Sequence, residues 1–199
     1  MKHKNFYRKK INELEKLSLR QEEEIGLLQR MNMKKDYLIQ GLEREIQLSK
    51  TTDILTDTYN KQFLTKKFRE AVNMHKRWGF TISLCYFDLD NLNVVNETYG
   101  SDYGDSLLMS FSKLTKYLIR DELDSLFRIG GDEFLVILID CSKTNALGIC
   151  QRINKEYNCI TEGHSLSYSV IELQDTKEYS LEDHLNMIKN NLKENKLIN

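Results

Sequence analysis

The chain has 199 residues, a mass of 23.5 kDa and a formal net charge of −1, with 40% hydrophobic and 30% charged residues. This composition is sufficient for one hydrophobic core plus an appendage, and it excludes a chain that is disordered throughout. Residues 1–50 carry 12 Lys and Arg against 8 Asp and Glu, which leaves the remainder acidic. An acidic body lacks the basic face that phosphate neutralisation requires, so we expect no nucleic-acid partner.

Neither a membrane span nor a disulfide framework is expected. The longest apolar run, Phe134 to Ile139, has six residues, whereas a helix that crosses a bilayer needs about 20. The four cysteines have no C-x-x-C spacing and no histidine cluster near them. We therefore predict reduced, mostly buried thiols in a cytoplasmic protein.

Residues 1–50 have the pattern of a coiled-coil helix. If Ile11 is heptad position a, seven of the twelve a and d positions are apolar. The a positions are Ile11, Ser18, Ile25, Asn32, Ile39 and Ile46, and the d positions are Leu14, Gln21, Leu28, Lys35, Leu42 and Ser49. One amphipathic helix packed on its own domain is the alternative, but a helix of roughly 60 Å would overhang such a domain. We predict a homodimerisation helix, with Asn32 helping to fix its register.

Residues 51–199 alternate between helical and strand periodicity and are predicted to form one domain. Two apolar runs flank Gly130-Gly131, which predicts a hairpin turn because both glycines can take positive φ. Helices are predicted over residues 60–76, 146–153 and 181–196, and a further helix that Ser101 or Asp102 caps is predicted to end at Leu118. Strands are predicted over residues 80–88, 126–129, 134–139 and 165–173. The expected fold class is α/β, an α+β sandwich with helices covering a central, mostly antiparallel sheet.

Acidic residues collect at the ends of two predicted strands. Asp88 and Asp90 follow the first of these strands on one side of it, and Asp132 and Glu133 follow the Gly-Gly turn. If the hairpin lies beside that strand, Asp88 and Asp132 converge on one cation. Carboxylate oxygens with a few waters suit Mg²⁺, which in turn suits a nucleoside triphosphate. Solvated surface carboxylates are the alternative for each pair taken alone.

A family resemblance rests on four motifs. Arg128-Ile129-Gly130-Gly131-Asp132-Glu133-Phe134 matches the signature of GGDEF domains, so that residues 51–199 resemble the diguanylate cyclase family. The other three motifs are Asp53-x-Leu55-Thr56-x-x-x-Asn60, Phe87-Asp88-Leu89-Asp90, and Asn96 with Tyr99-Gly100 and Gly104-Asp105. All four occur in the family's order and spacing. The resemblance implies a nucleotidyl-cyclase-like palm and a homodimer that condenses two GTP into cyclic di-GMP and two pyrophosphates.

The same resemblance assigns the metal and the proton transfer. Asp88, the carbonyl of Leu89 and Asp132 would hold Mg²⁺, with Mn²⁺ as an alternative. Asp132 would also accept the proton of the attacking hydroxyl, and Glu133 would assist as a metal or electrostatic helper.

Substrate contacts are implied in the same way. Asn96 and Asp105 would hydrogen-bond guanine, because a carboxylate accepts from the N1 and exocyclic amine donors of that base. Gly130 and Gly131 would let the hairpin backbone approach phosphate closely, and Lys196 falls where a phosphate-binding lysine is expected.

Two departures from the family pattern leave an alternative open. The family usually has Lys where this chain has Asn93, and often His where it has Ser101. Loss of a cation beside the reacting phosphate costs on the order of 2–4 kcal/mol of barrier if no other group replaces it. A degenerate domain that binds GTP or a protein partner is therefore the alternative function. A cyclase of other cyclic dinucleotides is less favoured because Asp105 is retained. An upstream sensor or signalling protein is a further expected partner.

Many family members carry an inhibitory R-x-x-D motif whose Arg precedes the first signature glycine by nine residues. Here the motif's Asp is present as Asp124, but position 121, where the Arg would stand, is also Asp. The nearest arginine, Arg120, lies one position earlier. A carboxylate at position 121 would repel the anionic product, so we expect no product inhibition at this motif. The alternative is that Arg120 reaches the product from its shifted position.

Overall fold

A computed structural model describes the backbone of residues 2–174 and 180–198, together with their side chains except those of residues 2–9, 44, 45, 47–49, 197 and 198. The last heptad position, Ser49, is among the excepted side chains. The chain divides into two compact units, Met1–Leu48 and Ser49–Asn199.

Helix α1 (Lys2–Thr51) accounts for the first unit. The seven apolar a and d side chains of its heptad pattern are all exposed, with Ile39 the least so at 41%. Its other described apolar side chains, such as Leu19 and Met33, are exposed as well. None of the described helices, α1 included, combines the length and the apolar composition that a membrane span needs.

The second unit is built on a five-stranded sheet in the order β1-β3-β4-β2-β5. Its strands are β1 (Tyr59–Asn60), β2 (Ile82–Leu89), β3 (Ser125–Arg128), β4 (Glu133–Ile139) and β5 (Leu166–Glu172). Only β1 and β3 pair in parallel, whereas the other neighbours are antiparallel. The helices are α2 (Lys61–Trp78), α3 (Leu92–Tyr99), α4 (Ser101–Leu118), α5 (Lys143–Ile160) and α6 (Leu181–Ile198). The predicted fold class is confirmed.

Helices cover both faces of this sheet. Phe87 and Phe134 project into a core layer closed by α3, α4 and α5, and Tyr86 and Leu135 into a layer closed by α2 and α6. Strand β2 is consequently buried on both faces from Ile82 to Phe87. A strand covered on both sides reads as a near-continuous apolar run rather than as an alternating one. The prediction of strand 80–88 was right in position, but its apolar and polar faces are not distinct.

The predicted hairpin forms, although neither Gly130 nor Gly131 uses the positive φ that is open to glycine; in the described part of the chain the positive-φ glycines are Gly79, Gly100 and Gly163. The predicted helix cap was wrong. Helix α4 has Gly100 at its N-cap and no side-chain capping bond, so neither Ser101 nor Asp102 caps it. Gly100 occupies the cap because its φ of 88° is strained for other residues.

Candidate active site

The candidate site forms where β2 ends beside the β3–β4 turn. Asp88 pairs with Glu133 in the antiparallel register of β2 and β4. One residue beyond this pair, the Leu89 amide donates to the carbonyl of Asp132, which directly precedes β4, at 3.2 Å. The condition set by the sequence is therefore met: the hairpin lies beside β2, and Asp88 and Asp132 are brought to the same sheet edge.

One lysine binds the carboxylates at the end of β2. Lys196 Nζ of α6 lies 2.7 Å from Asp88 Oδ1 and 3.0 Å from Asp90 Oδ1. Burial raises the pKa of Asp88, the ion pair with Lys196 opposes this, and the nearby charges of Asp132 and Asp90 raise it further. The net effect is a raised pKa, and burial is its largest cause.

Asp90 is held by Ser167 of strand β5 and by Ser165, which directly precedes that strand, in addition to Lys196. The hydroxyls of Ser165 and Ser167 donate to its two oxygens at 2.8 and 2.6 Å. A cavity of about 780 Å³ adjoins these groups. Its lining residues are Asp90, Asn91, Asn154, Ser165, Leu166, Ser167, Tyr168, Leu192, Asn195 and Lys196. The cavity thus touches the carboxylate edge but does not include the residues expected to bind guanine.

Glu133 is engaged by two side chains that the sequence did not single out. Lys189 Nζ lies 2.8 and 2.9 Å from the two Glu133 oxygens, and the Tyr86 hydroxyl donates to Oε1. Burial alone would raise the pKa of Glu133, but these hydrogen bonds outweigh it and hold that pKa below its ordinary value. Burial and the bond to Glu133 together raise the pKa of Tyr86, so its hydroxyl remains a donor.

The glycines of the turn have different surroundings. A Cβ added to Gly130 would lie 2.6 Å from Glu133 Oε2, whereas nothing lies within 4 Å of the corresponding position at Gly131. A side chain at position 130 would therefore have to displace the Glu133 carboxylate. This explanation is independent of φ and of any bound phosphate.

Arg128 connects the turn to the start of the domain. Its guanidinium donates to the Gly131 carbonyl at 3.1 and 2.7 Å and to Asp53 Oδ1 at 3.1 Å. The same Asp53 oxygen accepts from the amide and the hydroxyl of Thr56 at 2.9 and 2.7 Å. The first and last of the four sequence motifs are thereby joined through one carboxylate.

The residues expected to bind guanine lie on the packed helices α3 and α4. Asn96 is on α3, and its buried Oδ1 has no hydrogen-bond partner among the described residues. Asp105 is half-buried on α4, and its carboxylate likewise forms no hydrogen bond or ion pair within the described part of the chain. A Cβ at the intervening Gly104 would lie 1.9 Å from Asn96 Oδ1. Absence of a side chain at Gly104 is what allows Asn96 to occupy this position.

The donor set at the strand edge fits a magnesium ion that also binds phosphate. In the described residues no cluster of three or more His, Cys, Asp and Glu side chains is arranged to hold an ion. Mg²⁺, however, is commonly bound through one or two carboxylates with substrate phosphates and water completing the octahedron. Asp88 and Asp132 supply that number.

The α6 lysines show what the sequence could and could not reveal. Lys196 was expected at phosphate, and that role stays a prediction; in the structure its ammonium group contacts Asp88 and Asp90. Lys189 was not expected at all, although it lies seven residues, or two turns, before Lys196 and so on the same helix face. That spacing was the available signal. Asn93 and Ser101 are exposed.

Family comparison agrees with the motifs. The model of the diguanylate cyclase GGDEF domain matches residues 50–197. Diguanylate cyclase DgcS of Shewanella oneidensis is 33% identical over 140 residues, which cover 68% of this chain and 46% of that protein. Response regulator PleD of Caulobacter vibrioides is 33% identical over 118 residues, covering 59% of this chain and 26% of that protein. The chain thus spans between about a quarter and a half of these relatives.

Solved structures show the same fold. The coiled coil and GGDEF domain of DgcB from Caulobacter crescentus, in complex with c-di-GMP, has a TM-score of 0.75 at 19% identity and covers 85% of this chain and 92% of that chain. Diguanylate cyclase SiaD of Pseudomonas aeruginosa, in complex with its activator SiaC, has a TM-score of 0.67 at 21% identity and covers 97% and 76%. Since the family model spans residues 50–197 and all four motifs lie within that span, the chain belongs to the GGDEF-domain family of diguanylate cyclases.

Proposed function

We propose that the protein is a diguanylate cyclase: in a homodimer, the 3′-hydroxyl of each GTP attacks the α-phosphate of the other, releasing two pyrophosphates and cyclic di-GMP. The observation that carries the proposal is the register of β2 and β4, which sets Asp88 and Asp132 at one sheet edge. Residues 51–199 would be the catalytic domain and residues 1–50 the dimerisation helix. We place the reaction in the cytoplasm, where GTP is available.

The role proposed for each residue follows from the chemistry of its side chain or backbone group. Asp88, the Leu89 carbonyl and Asp132 would hold Mg²⁺, with Mn²⁺ as a substitute; the ion neutralises phosphate charge and brings triphosphate to the strand edge. Asp132 would accept the proton of the attacking 3′-hydroxyl, since its carboxylate has no hydrogen-bond or ion-pair partner in the described part of the chain. Lys196, which contacts Asp88 and Asp90 at this strand edge, would be the lysine available to phosphate.

Guanine would be read between α3 and α4. The unpartnered Oδ1 of Asn96 and the carboxylate of Asp105 are acceptors, and guanine presents N1 and amine donors where adenine does not. A site built to receive donors rejects a base that lacks them, because its buried acceptors would stay unpaired. This arrangement favours guanine over other bases.

Dimerisation would bring two half-sites together. Each domain presents one GTP, so the reaction requires two copies to face each other. The exposed apolar seam of α1 supports pairing of two chains, which raises the effective concentration of the half-sites. SiaD has been crystallised with an activator, and we propose that an upstream signalling protein likewise acts on this chain.

The test is incubation of purified protein with GTP and Mg²⁺, followed by chromatographic separation of the products. We expect cyclic di-GMP and pyrophosphate, and none from Asp132→Asn. Retained GTP binding without any cyclic dinucleotide would reject the cyclase.

A second candidate is a degenerate domain that binds GTP or a protein partner and signals without turnover. Asn93 is the observation in its favour, because a neutral side chain stands where the family usually has a cation. GTP binding by calorimetry, together with product formation below one turnover per chain, would select this candidate.

A further inference from the structure

Helix α2 concentrates positive charge that the rest of its domain lacks. It contains six Lys and Arg and one Glu, a net charge of +5. Residues 51–199 contain 17 Lys and Arg and 22 Asp and Glu in all. Outside α2 the domain therefore has 11 basic and 21 acidic residues, a net charge of −10. The proposed reaction makes no use of this contrast.

Four of the α2 cations lie along one exposed side of the helix. They are Lys66, Arg69, Lys76 and Arg77, here called the basic stripe, and all four side chains are exposed. Separations of three, seven and eleven residues place them close to one another on an α-helix, whose period is 3.6 residues. Glu70, the one acid of the helix, pairs with Lys67 at 3.5 Å. The stripe is thus left without an acidic residue of its own helix to neutralise it.

An exposed tryptophan ends the same helix. Trp78 is the chain's only tryptophan and is 61% exposed, with its ring 5.9 Å from that of Phe80. Tryptophan combines a large apolar ring with a polar N–H, and it is enriched where lipid headgroups meet acyl chains. Since Trp78 directly follows Lys76 and Arg77, the last turn of α2 presents an aromatic ring beside two cations.

The distribution of charge favours a flat anionic partner over one that wraps around the domain. Helix α6, the other helix of this core layer, has three Lys and three Asp and Glu and so no net charge. Exposed charges are largely screened from each other beyond about 8 Å at physiological ionic strength, whereas a helix is about 10 Å thick. A surface that lies along α2 therefore meets the basic stripe, while acidic groups on the far face of the sheet are screened. A flexible polyanion such as RNA would also meet those acidic groups.

A surface along α2 leaves the carboxylate edge open. The helix covers one face of the sheet, whereas Asp88 lies near the end of β2. Trp78 lies at the other end of that strand, because only a short turn separates it from Ile82. Ile82 and Asp88 are six residues apart on β2, roughly 20 Å at about 3.3 Å per residue. The residues proposed to bind the cation are therefore not covered.

We propose that the basic stripe and Trp78 dock the domain on an anionic lipid surface, with the cations at the headgroups and the indole at the boundary between headgroups and acyl chains. Clusters of four to eight Lys and Arg on a helix are typical of binding to anionic lipids. The proposal goes beyond the proposed function, and lipid binding requires neither GTP nor turnover.

The single tryptophan gives a readout from the docking surface itself. The full chain is mixed with vesicles of phosphatidylglycerol and brominated phosphatidylcholine in equal amounts, and Trp78 fluorescence is followed. Bromine on the acyl chains quenches an indole only when the two are in contact. We expect quenching on these mixed vesicles, none on vesicles of brominated phosphatidylcholine alone, and weaker binding as the salt concentration rises.

Arg69→Gln combined with Arg77→Gln removes half of the basic stripe. Each cation near an anionic bilayer contributes about fivefold in binding, the equivalent of about 1 kcal/mol, so this double variant should bind the mixed vesicles about 25-fold more weakly. Lys113→Gln combined with Lys155→Gln is the matched control. It removes the same charge from exposed lysines of α4 and α5, which cover the opposite face of the sheet. The control should bind as the wild type does.

Three results would overturn the proposal: no binding to the mixed vesicles, binding without quenching of Trp78, or equal loss of binding in the two double variants. Quenching is needed because vesicles held by another basic segment, such as α1, would leave Trp78 in water. If the chain binds RNA but not the vesicles, and the double variant of the stripe loses that binding, the stripe belongs to nucleic acid. Circular dichroism confirms that each variant is folded, and a cyclase assay on the same samples tests the proposed function separately.

Discussion

Gly104 and Gly130 are glycines because of a neighbouring side chain rather than because of their own backbone angles. At Gly104 an added Cβ would lie 1.9 Å from Asn96 Oδ1 and 2.9 Å from its Cγ, and at Gly130 the limiting atom is Glu133 Oε2. Asn96 lies on helix α3, and its Oδ1 is buried. Glycine at position 104 is therefore tied to the site proposed for guanine.

Gly104→Ala is expected to displace the Asn96 amide and to destabilise the domain by about 1–3 kcal/mol, the usual cost of overpacking. GTP affinity should fall with it. Gly148→Ala is the matched control, because Gly148 is also helical but has nothing within 4 Å of its Cβ position. That variant should be neutral or stabilised by up to about 1 kcal/mol. Urea denaturation and GTP calorimetry measure both, and wild-type GTP affinity in Gly104→Ala would contradict the expectation.

Removal of either proposed metal ligand should abolish turnover without unfolding the chain. Asp88→Asn and Asp132→Asn keep side-chain volume but remove a negative ligand, and each should lower kcat more than about tenfold, equivalent to 1.4 kcal/mol. Glu97→Gln, a change of an exposed acid on α3, is the control. A variant of Asp88 or Asp132 that kept more than a tenth of the wild-type rate would refute the assigned role.

At the scale of elements, periodicity predicted the long helices and strands, while short elements escaped it. The 3–4 spacing of Leu107, Phe111 and Leu114 gave α4, and the alternation from Ile82 to Tyr86 gave β2. Strand β1 has two residues and helix α3 has eight, both too short to show a period. The strand-edge carboxylates could be predicted because turns and strand ends place them. The bond from Lys189 to Glu133 could not, because it spans 56 residues and depends on how α6 docks.

The ion pair between Asp53 and Arg128, which connects the first motif to the β3–β4 turn, is expected to be sensitive to acid. Burial works to raise the pKa of Asp53, but hydrogen bonds from Thr56 and Arg128 together hold it below its ordinary value of 3.8. A carboxyl whose folded-state pKa is depressed stabilises the protein above its unfolded-state pKa, and that stabilisation is lost as pH falls through the folded-state value. Asp53→Asn should therefore lower stability at pH 7, and the difference from wild type should shrink below about pH 4.

Urea denaturation of wild type and Asp53→Asn at several pH values measures this dependence. The exposed Asp121, which has no hydrogen bond or ion pair among the described residues, gives the control Asp121→Asn. A stability difference for Asp53→Asn that stayed constant down to pH 3 would show that the ion pair with Arg128 does not contribute.

The segment before β3 gives the expectation about product inhibition a structural reason. The buried Asp124 carboxylate accepts from Arg120 N, Nε and Nη2 at 3.0, 3.0 and 2.8 Å and from the Ile139 amide at 3.0 Å. The guanidinium of Arg120 also donates to the Ile139 carbonyl. The Arg120 guanidinium is therefore hydrogen-bonded within its own segment and does not present two free N–H groups to an anion.

We accordingly expect cyclic di-GMP not to bind at Arg120, and the cyclase not to be inhibited by product there. Isothermal calorimetry with cyclic di-GMP on wild type and Arg120→Ala measures this. Binding at micromolar affinity or tighter that disappears in Arg120→Ala, while circular dichroism shows the variant folded, would overturn the expectation.

At the scale of the whole molecule, the proposed reaction would require more than one domain can supply. One domain would provide one pair of metal-binding carboxylates and one pair of guanine acceptors, whereas cyclic di-GMP contains two nucleotides joined symmetrically. Helix α1 exposes an apolar heptad seam that a single chain leaves in water. Pairing of two seams would stabilise α1 and would also bring the two half-sites together, so assembly and activity should respond to the same substitutions.

Dimerisation is expected to depend on the a and d positions and not on exposed apolar residues in general. Ile25→Lys, Leu28→Lys and Leu42→Lys combined place like charges in the seam of a segment that already has excess Lys and Arg, so the chain should sediment as a monomer at micromolar concentration. The matched control changes Leu19, Leu27 and Met33 to Lys, since these side chains are as exposed but lie at b and c positions. Because separate half-sites lose their effective concentration, the seam variant should also lose most cyclase activity, whereas the control should keep dimer and activity alike. If the seam variant sediments as a dimer and cyclises GTP at the wild-type rate, α1 has no part in the mechanism. If the control variant becomes monomeric, the added charge, rather than the heptad pattern, separates the chains.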